Sequence, residues 1–216
     1  MPLSDRILTA NQGVLEQMLA HRFVADIKAN RLPREVFHGY LAHEGAFVKT
    51  AISIFAYAVA RAPDIEAQRW LIGVLDALAN TQVTFFEEVF ARHGITAPDD
   101  VPPEVIAFDE GMLTLAREGS FVDIVTAMFA AEWIYWAWCR TASACRIEDP
   151  DLRNWVDLHA EQAFGDQAMW LKNAIDTYGD PRDVDRLSDL FERVTLLEIA
   201  FHAAPYAAEI PGGATT

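Results

Sequence analysis

Residues 124–139 read IVTAMFAAEWIYWAWC, a run whose only charge is Glu132. The run falls short of the roughly 20 apolar residues that a membrane-crossing helix needs, and a carboxylate sits in its middle. Upstream, Ser120 with Asp123 three residues on approximates a capping box, which should open a helix running to about Arg146. Val125, Phe129 and Trp136 recur at helical spacing on one stripe, and Glu132 occupies the missing position. The segment reads as a buried core helix that carries one carboxylate inward.

Working outward, the remaining apolar residues also recur every three or four positions, and no β-alternation occurs. A first helix is expected from about Ser4 to Ala29, closed by Asn30-Arg31-Leu32-Pro33. Pro33 suits the start of a second helix, which should end near Ala62-Pro63. A third should run from about Asp64 to His93, with Gly94 as its C-cap. A loop over Ile95–Pro103 and a short helix over Glu104–Arg117 precede the central run. Asp149-Pro150 starts the next helix, expected to reach Tyr178 with a kink near Gly165. After Gly179-Asp180-Pro181 a last helix should end around Pro205. There is no repeat, low-complexity stretch or Pro/Gly-rich linker. One all-α, single-domain helical bundle over residues 1–216 is therefore expected, its last eight or so residues forming a tail.

The composition narrows the function. The 216 residues are 52% hydrophobic, enough to offset the entropy of ordering a sizeable core. A formal net charge of −15 without a Lys/Arg cluster repels phosphate backbones and speaks against nucleic-acid binding. Cys139 and Cys145 would lie about 9 Å apart along one helix, too far to bridge. With no signal peptide in view, a reducing cytoplasm is the expected compartment, and no membrane segment is expected.

Two further helices repeat the anomaly of Glu132. Glu44 falls on the stripe of Phe37, Tyr40, Leu41, Phe47, Val48 and Ala51. Glu198 shares a face with Leu187, Leu190, Val194 and Phe201. A buried carboxylate is costly unless it is bonded or paired; otherwise its pKa rises. One such glutamate could simply accept a bond from a neighbouring Tyr, Trp or Arg. Three on three helices must also resolve their mutual repulsion, and a polar pocket inside the bundle does so. Aromatic residues accompany all three: Phe47, then Tyr135 and Trp136, then Phe201. Singly, each is ordinary core. Beside buried carboxylates they suit a flat heteroaromatic ligand with N–H edges.

Four stretches carry a family resemblance. Residues 11–64 contain His21-Arg22-Phe23 and a pattern from Asn30-Arg31-Leu32-Pro33 through Phe37 to Tyr40-Leu41; FAAEWIY spans Phe129–Tyr135, and LLEIAF spans Leu196–Phe201. In this order and spacing they resemble the TenA/Thi-4 family, the thiaminase II or aminopyrimidine aminohydrolase enzymes, from about residue 5 to 207. The resemblance implies a heme-oxygenase-like bundle, a homotetramer, and no metal, haem or other cofactor. It implies hydrolysis of aminopyrimidine or formylaminopyrimidine thiamin-breakdown products in thiamin salvage. Carried over residue by residue, Glu44 takes the place of an aspartate that binds the pyrimidine, and Phe47 that of a stacking ring. Tyr135 matches a pocket tyrosine, and Phe108 and His159 replace others. Phe201 closes the last motif, and Glu198 matches a general acid/base. The nucleophilic cysteine of one branch is Ala131 here, so the resemblance favours a second branch with a glutamate, Glu132, in this motif. Glu132 and Glu198 are then the expected catalytic pair, with acid and base roles unassigned.

Two other readings compete. A heme-oxygenase-like di-iron oxidase would draw ligands from Glu44, Glu132, Glu198, His43, His159 and His202, of which Glu198 and His202 make a suggestive i,i+4 pair. A non-catalytic binder of a pyrimidine-like ligand would keep the pocket without turnover. His21, His38 and His93 read as structural or surface residues. Trp70, Trp133, Trp138, Trp155 and Trp170 read as packing or subunit contacts.

Overall fold

In the computed structural model, which describes residues 1–96 and 100–209, the central run forms helix α8, Phe121–Ala142. Its start is the expected capping box. The Ser120 hydroxyl accepts from the Asp123 N–H at 3.3 Å, and the Asp123 carboxylate accepts from the Ser120 N–H at 2.8 Å. The helix ends at Ala142, a turn before the expected Arg146. There the Arg153 guanidinium takes up the carbonyls of Ser143 and Cys145 instead.

Before it come α1 (Leu3–Ala10), α2 (Gln12–Leu19), α3 (Arg22–Lys28), α4 (Arg34–Arg61), α5 (Ile65–Asp76), α6 (Val83–His93) and α7 (Pro103–Glu118). After it come α9 (Pro150–Ala160), α10 (Gln162–Tyr178) and α11 (Val184–Ala203), the last continuing as a 3₁₀ segment over Ala204–Glu209. Among the described residues there is no strand, and no helix is long and apolar enough to cross a membrane. α8 lies at the centre, packed against α4, α7, α9, α10 and α11, and its faces join one continuous hydrophobic core.

The departures from the expected boundaries have local causes. The single N-terminal helix is three short ones. At Asn11 the side-chain amide donates to the Ile7 and Ser188 carbonyls at 3.0 and 3.2 Å, tying the break to α11. At His21 the imidazole Nδ1 accepts from the Phe23 N–H at 3.1 Å and caps α3. The stretch from Asp64 to His93 is continuous but contains a π-helical segment, Ala77–Gln82, between α5 and α6. The break between α9 and α10 falls at Glu161, which is extended (φ −64°, ψ 154°), not at Gly165. Gly165 is required for a different reason: a Cβ there would meet the Trp136 indole at 2.5 Å, so the glycine lets α10 approach α8. Gly94 caps α6 as expected, with φ 64°. The expected tail beyond residue 209, like residues 97–99 of the expected loop, lies outside the described residues.

Candidate active site

The expected catalytic pair and the expected pyrimidine-binding residues all line one cavity, whereas Trp136, named beside Glu132, packs over Gly165 instead. Helix α4 contributes Glu44 and Phe47, α7 contributes Phe108, and α8 contributes Ala131, Glu132 and Tyr135. His159 enters from α9, and Glu198 and Phe201 from α11. The space is about 80 Å³, closed further by Phe55, Met128 and Phe164 and by Gln82 of the π segment. No lysine or arginine lines it. Three carboxylates therefore share a mostly apolar enclosure without a compensating side-chain cation.

Glu44 accepts a 2.8 Å hydrogen bond from the Trp155 indole N–H. Burial pushes its pKa up to about 8, and the indole bond only partly offsets this. His159 stands beside it, Nε2 3.7 Å from Glu44 Oε1. The other ring nitrogen, Nδ1, lies 2.8 Å from the Trp155 carbonyl, an acceptor only, so Nδ1 carries the proton. Burial lowers the His159 pKa to about 4, against the upward pull of that carbonyl. At neutral pH the pair is thus a protonated acid beside a neutral imidazole.

Glu198 is 2% exposed and sits at the end of a hydroxyl chain. Tyr135 donates to its Oε2 at 3.4 Å, and the Tyr40 and Tyr135 hydroxyls lie 2.6 Å apart. With the Tyr135 proton directed to Glu198, Tyr40 is the donor in that second bond. Burial raises the Glu198 pKa to about 8; the Glu44 charge adds to this, Tyr135 opposes it, and Glu132 adds again. Glu132 accepts from the Gln167 amide at 2.8 Å through Oε1, while Oε2 is buried without a protein partner. Burial raises it to about 7, less the effect of that bond.

Rings form two groups around these carboxylates. Phe108 lies between Phe47 and Phe201, with centroids at 4.6 and 5.0 Å. His159 touches Trp155, Phe164 and Tyr135 at 4.3, 4.9 and 5.5 Å. Such an enclosure accepts a flat ring, and its carboxyl groups suit a ligand that brings basic nitrogens.

Trp155 was expected to be packing, yet its N–H holds Glu44. Its spacing of four from His159 on one helix was the available signal. Gln82, Phe164 and Gln167 carried no sequence signal. Trp70 and Trp170 do pack, stacked on each other at 4.0 Å between α5 and α10. Among the described residues no three His, Cys, Asp or Glu side chains converge as metal donors. His43 lines a separate cavity, as does the chain's one Glu-x-x-His spacing, Glu35 to His38. His202 Nδ1 lies 2.7 Å from the Glu198 carbonyl and 3.6 Å from Glu198 Oε2.

The model of the TENA/THI-4/PQQC family matches residues 9–208. The chain is 21% identical over 204 residues to an aminopyrimidine aminohydrolase of Halalkalibacterium halodurans, covering 90% of this chain and 91% of the relative. A TenA homologue from Pyrococcus furiosus superposes with a TM-score of 0.86 at 20% identity, covering 94% of this chain and all (100%) of the other. A TenA homologue from P. horikoshii OT3 gives 0.87 at 19% identity over 96% and 99% of the two chains. At these identities the structural likeness is one of fold.

Proposed function

This chain belongs to the TENA/THI-4/PQQC family, and from that premise we propose that it hydrolyses C–N bonds of aminopyrimidine or formylaminopyrimidine products of thiamin breakdown, by carboxylate acid/base chemistry without a cysteine nucleophile. The observation that carries this reading is the set of three carboxyl groups, Glu44 and Glu198 buried and Glu132 half-buried, that line one aromatic enclosure with no lysine or arginine among the described lining residues. The name of the H. halodurans relative supports the substrate class.

Glu44 is the anchor. Protonated in the free protein, it meets a basic ring nitrogen and shares or transfers its proton, which converts a buried acid into a charge-assisted pair. Phe47, Phe108, Phe201 and Tyr135 sandwich the ring, and His159 and Trp155 fix the anchor's orientation. Glu132, whose Oε2 has no protein donor and is open to a water, is assigned as the base; Glu198, held by the Tyr135 hydroxyl, is assigned as the acid. Water attacks the carbon bound to the departing nitrogen, and Glu132 takes its proton. As the C–N bond breaks, Glu198 gives its proton to that nitrogen, and the Tyr135–Tyr40 chain restrains the resulting carboxylate.

No thiol serves here. Ala131 lines the cavity where the cysteine branch has its nucleophile, and Cys139 is fully buried away from it. Burial, with the Glu44 and Asp157 charges, holds the Cys139 thiol well above its ordinary pKa. The test is turnover of an aminopyrimidine and its N-formyl derivative by Glu132→Gln and Glu198→Gln. Wild-type rates in both variants would remove the carboxylate mechanism; tight binding without turnover by the unaltered protein would replace the enzyme with a binder. The family resemblance also points to a cytoplasmic homotetramer, which light scattering would report as about four times the 24.1 kDa chain.

A further inference from the structure

The cavity around the glutamates has a larger neighbour. A second space of about 240 Å³ shares Leu78, Gln82, Glu132, His159 and Phe164 with the first, so the two meet at Glu132. Beyond the junction its lining is chiefly apolar, with Val74, Ala77, Phe85, Phe86 and Leu158. The half-exposed Leu158 (41%) and the exposed Ala77 and Thr81 place it on the solvent side of the inner cavity.

The π segment builds this neighbour. Residues 77–82 replace the α-helical pattern between α5 and α6, and Ala77, Leu78, Thr81 and Gln82 all face the outer space. Such segments are rare and gather at functional sites. The junction also holds the matching polar groups. Gln167 spends one amide hydrogen on Glu132 Oε1, leaving a second, and the Gln82 amide lines both spaces. Glu132 Oε2 has no protein donor.

Beyond the Glu132 junction the lining is apolar and reaches solvent, which suits an apolar group carried on the amine of a pyrimidine held in the inner cavity. We propose that the outer cavity is an acyl subsite, and that the preferred substrates are N-acyl aminopyrimidines whose acyl group is a short alkanoyl or an aroyl rather than formyl. This rests on the hydrolase reading above. Water adds to the acyl carbonyl carbon while Glu132 takes its proton. The Gln82 and Gln167 amides donate to the oxygen that becomes negative. The intermediate collapses with cleavage of the C–N bond, the nitrogen receives the Glu198 proton, and an amine and a carboxylic acid leave.

The experiment is a series of N-formyl, N-acetyl, N-butanoyl and N-benzoyl aminomethylpyrimidines, followed by amine release with the full chain. kcat/KM should rise at least tenfold from formyl to butanoyl, since each buried methylene contributes roughly three- to fourfold. Thr81→Trp and Leu158→Trp, two solvent-side substitutions that fill the outer space, should each lower the butanoyl-to-formyl ratio about tenfold. A flat or falling series in a protein that hydrolyses the formyl derivative overturns the acyl subsite and leaves the hydrolase standing. A rising series whose ratio ignores both tryptophan variants overturns the location. Absence of turnover of every member, together with absence of ammonia release from the free aminomethylpyrimidine, overturns both readings together.

Discussion

Asp26 on α3 is buried, as are Glu44 and Glu198 of the cavity, and Glu132 is half-buried, yet Asp26 and the three glutamates are treated in opposite ways. Asp26 is 4% exposed and receives Arg31 at 2.7 Å, Tyr206 at 2.9 Å and Arg22 at 3.2 Å. Burial alone would raise its pKa, but these donors and guanidinium charges outweigh it, and the net shift is downward. Glu44, Glu132 and Glu198 receive an indole N–H, an amide N–H and a phenol O–H, all neutral, and all three are pushed up to between about 7 and about 8. The difference teaches how to separate a structural carboxylate from a working one. A carboxylate that ties elements together is given its cation by the fold. One that must exchange protons or receive a basic ligand is buried without it.

That contrast can be broken most sharply by kinetics. Removing the proton donor with Glu198→Gln should lower kcat by about 10²–10⁴, whereas Asp26→Asn should leave kcat per folded molecule at the wild-type level. Similar losses in both would erase the distinction.

The next effect is in stability against pH, where the two regions have opposite signs. A group whose folded pKa lies above its unfolded value adds stability below the unfolded pKa, and that stability disappears as pH rises through the folded one. For the glutamates the window runs from about 4.5 to about 8. The ligand-free protein should therefore lose stability between pH 5 and 8, and Glu198→Gln should be stabilised relative to wild type at pH 8 by on the order of 2–4 kcal/mol, with the gap closing at pH 5. Asp26, with its depressed pKa, contributes stability that is present above its unfolded value and lost as pH falls through the folded one. Urea denaturation at several pH values measures both. A Glu198→Gln difference that does not vary with pH would contradict the burial of an uncompensated acid.

Smaller changes follow. Glu44→Gln keeps the side-chain shape but cannot become a carboxylate, so KM for an aminopyrimidine should rise about 10–100-fold with little change in kcat. An unaltered KM would place the anchor elsewhere. The least effect is expected for the stability of Asp26→Asn near neutral pH, a loss of about 1–2 kcal/mol, because the Arg22 and Arg31 side chains are 59% and 67% exposed and already solvated. A loss well above that would mean that the Asp26 cluster is as deeply committed as the cavity.

Much of the fold was legible, for reasons that differ by residue. Ser120, Asp123 and Gly94 announce helix ends through local hydrogen bonding and backbone conformation, and both ends lie where those residues put them. The extended Glu161, between α9 and α10, is neither Gly nor Pro and has neither beside it; the one glycine within a turn, Gly165, lies inside α10, and both helices pack on α8. The π segment ALANTQ is composed of residues that read as ordinary helix. In the site, Glu44, Glu132 and Glu198 stood out because each interrupts an apolar stripe of period 3.6. Trp155, Gln82 and Gln167 did not, since an indole or amide on a helix looks the same whether it meets a carboxylate or a neighbour's methyl group.

The sequence alone thus determined the helical class, the family motifs and the inward placement of one carboxylate on each of three helices. These are properties of spacing along the chain, which 3.6 residues per turn converts into direction. Only the tertiary structure decided that the three inward faces converge on one cavity, that no guanidinium follows them there, and that a widened turn opens a second space beside Glu132. The energy of a buried charge depends on what surrounds it within a few ångströms, and those surroundings come from residues far apart in the chain.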